Sequence, residues 1–237
     1  MSKNILLITT NFWPEPSGSG PYATDLAKIL KLNGYSTHVL TGIPHYPWWA
    51  MPTEYVKNPR HYNSYEGIEI IREKHYVPKR LNVITRIIFE ISLVRSLRRG
   101  FTRINAVNID LVLVIGSSLA GGLVAKSISK KLSTPYGIVV HDLAGQGARQ
   151  SGISGGSLVA KLVGGIERTV LSSSKGIVAI SQMMRDVIVG MGIEESKVSA
   201  ILIYAPNPIA PIDKTIARSK FDWATNDFVV VHTGNMG

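Results

Sequence analysis

Short apolar runs and amphipathic stretches alternate along most of the chain. Residues 4–10, 37–41, 111–115, 137–140, 176–180 and 198–202 are compact hydrophobic runs of the buried-strand type. Between them, residues 22–32, 119–132, 157–171 and 182–190 repeat apolar positions at helical spacing. Strands alternating with helices predict right-handed β-α-β units, hence an α/β, Rossmann-like, doubly wound fold on a mainly parallel sheet. Pro21 suits the first helical turn, where its missing N–H costs nothing, and Gly34 suits the stop after residue 32. Residues 66–76 alternate apolar and polar like a half-exposed strand or hairpin arm, which predicts an insertion on the sheet edge.

The pattern loosens after residue 202. Pro206, Pro208 and Pro211 interrupt helix and ladder alike and read as a linker, followed by a short helical piece at 214–221 and a new apolar strand at 227–232. The last strand runs into Gly234, Asn235 and Gly237, the kind of turn with which a nucleotide-binding unit begins. The expected organisation is a domain at 1–203, a linker and short helix at 204–226, and at 227–237 the opening of a second domain that is cut away. No leader is expected at the start. The longest uncharged apolar stretch, 111–125, falls short of the roughly 20 residues of a membrane span.

Composition narrows the chemistry. The 237 residues are 45% hydrophobic and 18% charged, a globular balance that should bury about 70–75% of the unfolded surface. Without cysteine there is no disulfide framework, thiolate nucleophile, iron–sulfur cluster or sulfur-ligated zinc. A net charge of +10 favours an anionic partner: nucleotide, lipid surface or nucleic acid. No nucleic-acid-binding module accompanies that charge, so nucleic acid is not an expected partner. Much of it sits in residues 79–103, where Lys79, Arg80, Arg86, Arg95, Arg98, Arg99 and Arg103 face one acid, Glu90. Ile84, Ile87, Ile88, Ile91, Val94, Leu97 and Phe101 recur there at helical spacing. Such a helix is either a core helix with a solvated basic face or a helix lying on an anionic bilayer, with Arg80, Arg86, Arg95, Arg98 and Arg99 toward the membrane.

Several familiar sites are absent or incomplete. The loop after the first strand, residues 11–21, is too long for the dinucleotide turn, and residues 41–42 supply no ribose-binding carboxylate. No Gly-Lys pair exists to build a P-loop. A nucleophile-elbow pattern surrounds Ser154, but it follows a polar loop rather than a strand, and residues 143–156 carry five glycines expected to make that loop mobile. Gly18, Ser19 and Gly20 open a helix and are candidates to approach a ligand closely. His141 and Asp142 close a strand at the carboxyl edge of the sheet, where open α/β sheets bind ligands. His45 and Tyr46 begin an aromatic, proline-bounded loop with Trp48 and Trp49, suited to a sugar face or a lipid interface.

In their order and spacing these segments resemble the N-terminal domain of family 4 glycosyltransferases of the two-domain GT-B type, nearest to bacterial exopolysaccharide enzymes of the colanic-acid kind. The resemblance rests on residues 5–8 with the 16–20 loop, on 41–47, on 141–143, on 179–185 and on 231–237, and so spans essentially the whole chain. It implies the acceptor-side half of a GT-B architecture and retaining hexosyl transfer from a nucleotide-sugar, with no metal or other cofactor. It implies a lipid-linked or polysaccharide acceptor at the cytoplasmic membrane face. His141 would contact the transferred sugar, Asp142 would orient that histidine or bind acceptor, and Gly18, Ser19, Gly20, His45, Tyr46, Gly234 and Asn235 would line the substrate cleft. The donor motif and phosphate clamp of the family are missing, so the chain alone is expected to be inactive and to expose an apolar patch that favours self-association. The alternative is a non-catalytic module binding nucleotide, sugar or membrane surface.

Overall fold

The computed structural model describes residues 3–59, 63–104, 108–116, 118–145, 156–203 and 210–231. By compactness the chain divides into a unit at Met1–Tyr204 and a smaller one at Ala205–Gly237.

The larger unit is built on one sheet. Strands β1 (Asn4–Thr9), β2 (Ser36–Gly42), β3 (Ser64–Tyr65), β4 (Ile68–Glu73), β5 (Leu111–Gly116), β6 (Tyr136–Val140), β7 (Gly176–Ala179) and β8 (Val198–Ala200) stand in the order β3-β4-β2-β1-β5-β6-β7-β8. Every neighbour is parallel except the short β3–β4 hairpin. The helices are α1 (Gly20–Leu32), α2 (Thr53–Lys57), α3 (Val83–Phe101), α4 (Leu119–Leu132), α5 (Gly156–Ser173) and α6 (Gln182–Gly190). This is the mainly parallel α/β sheet that the strand and helix alternation predicts.

Strand periodicity sorts the core into two faces. In β1, Leu6 and Ile8 point to one side and pack with Leu40, Phe89, Leu93, Leu97 and Val124, beneath α3 and α4. Leu7 points to the other and packs with Phe12, Ala23, Ala27 and Val39, beneath α1. Each such side chain is fully buried, and each except the two alanines contributes roughly 1.5–3 kcal/mol by leaving water. Strand order reverses between β1 and β5, so the chain leaves their carboxyl ends in opposite directions and opens a crevice there.

Two expectations are corrected. Residues 66–76 do supply a hairpin arm next to the sheet edge, but not a half-exposed one: β4 pairs antiparallel with the two-residue β3 and in parallel with β2, and it is buried at every position except Glu69. Its polar residues mislead because Arg72 and Glu73 are themselves buried, Glu73 in an ion pair with Arg103. In the smaller unit, residues 227–231 take no strand among the described residues, and Phe228 and Val230 stay exposed, since an apolar run becomes a strand only with a ladder partner. The short helix is found at α7 (Lys214–Ser219), capped by Asp213. Most of the linker's prolines, residue 232 and the glycine-rich end lie outside the described residues.

Candidate functional site

The crevice at the sheet's carboxyl edge holds a cleft of about 260 Å³. Its walls come from the loop after β1 (Thr10, Asn11, Gly18, Ser19), the loop after β2 (His45, Tyr46, Trp49), the start of α4 (Ser118), the end of β6 (His141, Asp142) and α3 (Arg86, Phe89). Six of the predicted site residues, Gly18, Ser19, His45, Tyr46, His141 and Asp142, therefore meet in one place.

Gly18 has φ +65°, and a Cβ there would lie 3.1 Å from the Tyr46 ring, so only glycine lets the two loops touch. Gly20 does not line the cleft. It is buried at the helix start, where a Cβ would come within 2.9 Å of the Glu15 carbonyl oxygen, and its role is packing. Gly234, Asn235 and Ser154 lie outside the described residues.

Sequence reading missed what holds these loops together. Glu15, buried in the first loop, accepts hydrogen bonds from the backbone N–H groups of Phe12 (3.0 Å), His45 (2.9 Å) and Tyr46 (2.8 Å), and from Asn11 Nδ2 (2.9 Å). One carboxylate thus ties the glycine loop to the aromatic loop. Burial raises its pKa, against the lowering effect of those same donors. Glu90 of α3 repeats the device, accepting from Ser118 Oγ (3.0 Å) and the Ala120 N–H (2.9 Å) at the start of α4. Glu167 of α5 does so for the loop after β6, accepting from the Ala144 and Gly145 N–H groups at 2.8 and 3.2 Å. The signal was there for Glu90, a single acid in a basic run, but nothing in the sequence says which amides a carboxylate will reach.

Behind the aromatic loop lies a box of rings. His45 stands 5.0 Å from His75, 5.3 Å from Phe89 and 5.4 Å from Trp49, measured between ring centroids. His45 Nδ1 lies 2.9 Å and His75 Nε2 3.2 Å from the carbonyl oxygen of Ile43. Burial keeps both imidazoles below their ordinary pKa, His75 down to about 4, so they are neutral at pH 7. Trp49 holds φ +50°, a costly conformation for a bulky residue and one met most often at functional sites. The Arg86 guanidinium lies 5.5 Å from the Trp49 ring centroid and 5.4 Å from that of Phe89. Arg86, itself exposed, lines the cleft, whereas the equally exposed Arg80, Arg95, Arg98 and Arg99 do not.

His141 packs edge-on to Tyr22 at 5.4 Å, and burial lowers its pKa as well. It presents a neutral imidazole, able to donate one hydrogen bond and accept another. Asp142 Oδ1 accepts from the Leu143 N–H at 2.8 Å, which fixes the carboxylate at the cleft rim. Among the described residues no group of three or more His, Asp and Glu is placed to hold a metal ion, and no helix is long and apolar enough to cross a membrane.

Comparison with known proteins gives a consistent family. Residues 17–202 match the model of the glycosyl transferase 4-like domain. A protein of Escherichia coli (strain K12) named as a colanic acid biosynthesis glycosyl transferase, WcaI, is 26% identical across 98% of this chain. The chain spans 59% of that relative's length. Among solved structures, sucrose-phosphate synthase of Thermosynechococcus elongatus superposes with a TM-score of 0.61 at 11% identity, covering 94% of this chain and 53% of the synthase chain. The Arabidopsis thaliana protein UGT89C1 in complex with UDP-L-rhamnose superposes with a TM-score of 0.54 at 14% identity, covering 96% of this chain and 56% of its own. At these identities the two structures establish likeness of fold.

Proposed function

The chain belongs to the glycosyl transferase 4-like family, and from that premise we propose that it forms the acceptor side of an enzyme transferring a hexosyl unit from a nucleotide-sugar to a lipid-linked or polysaccharide acceptor in cell-surface polysaccharide synthesis. The observation that carries this reading is the cleft itself. At the switch point of the sheet it combines a glycine-led helix start, a neutral histidine and an aromatic wall, the groups that suit a phosphate-bearing donor and a sugar ring. That a solved neighbour of the same fold holds UDP-L-rhamnose supports a nucleotide-sugar as donor.

In this reading the bond from the anomeric carbon to the donor phosphate breaks, and its electron pair leaves with the nucleoside diphosphate. The acceptor oxygen forms the new bond on the same face, and its proton passes to the departing phosphate oxygen, so configuration is retained. His141 donates a hydrogen bond to the transferring sugar and steadies the charge that develops as the phosphate leaves. Being neutral, it does so without fixing a full positive charge against the oxocarbenium-like sugar. Asp142 binds acceptor at the rim, while Ser19 and the α1 entry approach the donor phosphates. No metal step is required. The protein works at the cytoplasmic face of the membrane as a peripheral enzyme.

The test is transfer by the natural gene product from a panel of nucleotide-sugars, with product configuration read by NMR. His141→Ala should lower kcat by about 10²- to 10³-fold with a smaller change in acceptor KM. An inverted product would overturn the retaining step. Sugar or nucleotide binding without turnover would favour a non-catalytic binding module.

A further inference from the structure

Strand β4 carries three charged side chains, and both carboxylates among them have partners of their own. Glu69, at the exposed position, meets His38 Nδ1 at 2.6 Å, and Glu73 pairs with Arg103. Arg72 is 2% exposed and forms no ion pair among the described residues. Its Nη2 donates to the Trp13 carbonyl oxygen, and the Tyr55 ring centroid lies 5.6 Å from the guanidinium carbon. Nε and Nη1 have no hydrogen-bond partner among the described residues. A full charge held this deep is costly unless an opposite charge compensates it. Strand alternation turns Arg72 to the side of Ile68 and Ile70, beside Phe12 and α1, and away from Glu73.

On that side the buried anion is Glu15, 7% exposed. The contact with Trp13 places the guanidinium against the turn that Glu15 itself closes. There the Glu15 N–H donates to the Phe12 carbonyl (3.1 Å), the Phe12 N–H to Glu15 Oε2 (3.0 Å) and the Trp13 N–H to Thr24 Oγ1 of α1 (3.0 Å). Three ionisable groups face Glu15 from the elements around it: His45 after β2, with Nδ1 at 3.8 Å, His75 after β4, and Arg72 on β4. Burial keeps the two imidazoles neutral at pH 7, which leaves Arg72 as the cation of the three. Burial also lowers the guanidinium pKa, Tyr55 and the Glu15 carboxylate oppose that, and an arginine stays charged.

The ionisation of Glu15 decides what its loops can do. Oε1 accepts from Asn11 Nδ2 and from the His45 and Tyr46 N–H groups, and Oε2 accepts from Phe12. The carboxylate is an acceptor on both oxygens, whereas the protonated acid brings an O–H among four donors and loosens its hold on them. Resting on the transferase reading above, we propose that Arg72 is a positioning residue for transfer: its buried charge holds Glu15 as a carboxylate, and through Glu15 it holds the glycine loop and the aromatic loop at the cleft. A role in packing alone would need the donor to Trp13 but not the charge.

An NMR pH titration of the 237-residue chain, with ¹³C in the glutamate carboxyls, tests this. The Glu15 signal is the one missing from Glu15→Gln. Arg72→Gln keeps a donor and removes the charge, and it should raise the proton affinity of Glu15 about ten-fold or more, with the His45 and Tyr46 amide signals moving along the same titration. Arg72→Lys keeps the charge and should stay within about three-fold of the unsubstituted protein. In denaturant, the double variant Glu15→Gln/Arg72→Gln should lose at least about ten-fold less in the folding equilibrium constant than the product of the two single losses. If Arg72→Gln alone does not fold, the double variant should, because neither charge is then left uncompensated. In the natural gene product, Arg72→Gln should displace the pH profile of the acceptor KM to higher pH, with a smaller change in kcat.

An unchanged Glu15 titration in Arg72→Gln, an equal change in Arg72→Lys, or additive losses in the two single variants would reduce Arg72 to packing and overturn the proposal. So would a double variant that stays unfolded along with Arg72→Gln. A displaced Glu15 titration with the acceptor KM profile unmoved would overturn the positioning role. A natural gene product that transfers to no acceptor, with Glu15 responding as expected, would overturn the transferase reading and leave the charge pairing standing.

Discussion

The two faces of α3 are both apolar, yet only one belongs to the core. Phe89, Leu93 and Leu97 interlock with Leu40, Val124 and the sheet, whereas Ile84, Ile87, Ile88 and Ile91 meet solvent one turn away. Hydrophobicity along a helix therefore says that a face wants covering, not what covers it. The inward face is covered by the chain itself, and the outward face stays exposed.

Truncating the inward face should have the largest effect. Leu97→Ala removes a fully buried side chain and should cost about 2–5 kcal/mol of unfolding free energy in denaturant titration. A cost near zero would mean that α3 is not docked as described. Next comes Glu15, the carboxylate that joins two cleft loops. In Glu15→Gln an amide N–H₂ must replace at least one accepting oxygen, and with Oε2 so replaced it confronts the Phe12 N–H. The expected cost is about 1–3 kcal/mol, with raised acceptor KM in the natural gene product, because the His45 and Tyr46 amides lose part of their anchor. Unchanged stability and KM would remove Glu15 from its positioning role.

Acid should act on the box behind that loop. The folded-state pKa of His75 is depressed to about 4, so its contribution to stability is fully present above the unfolded value of 6.5. It declines as the pH drops below 6.5 and is lost once the pH has fallen through about 4, by up to about 3 kcal/mol. His45 and His141 shift in the same direction and add to the loss, whereas the raised carboxyl pKa values of Glu15 and Glu167 oppose it at the acid end. His75→Gln should flatten the profile between pH 6.5 and 4, read by denaturation at a series of pH values. An equally steep profile in that variant would assign the acid sensitivity elsewhere. The smallest effect belongs to the outward face: Ile84→Ser should change stability by less than about 0.5 kcal/mol.

The sheet was largely legible because β1, β2, β5, β6 and β7 are short apolar runs with turn residues at their ends, and a parallel strand buried on both sides has no other way to read. Helices α4 and α6 were found at their observed limits for the same reason of strong periodicity. β4 was legible as a hairpin arm, but its burial was not, because Arg72 and Glu73 are polar residues buried by tertiary packing, which local pattern cannot foresee. The site was legible where residues sit at strand ends, as His141 and Asp142 do, or at a helix start, as Gly18 and Ser19 do. Arg86 and Phe89 were not, since they reach the cleft from a helix far along the sequence, and periodicity joined Arg86 to the outward arginines. The carboxylates Glu15 and Glu90 escaped because their roles exist only through long-range hydrogen bonds.

The most direct test of the central claim, that α3 divides core from interaction surface, is to measure two properties on the same two variants. Leu93→Ala and Ile88→Ser would each be titrated with denaturant and each floated with vesicles containing phosphatidylglycerol. The predicted result is a crossover: Leu93→Ala loses about 2–5 kcal/mol of stability and, where still folded, keeps its vesicle binding, while Ile88→Ser keeps its stability and loses binding several-fold. Loss of stability in Ile88→Ser comparable to that in Leu93→Ala, with vesicle binding unchanged, would contradict it.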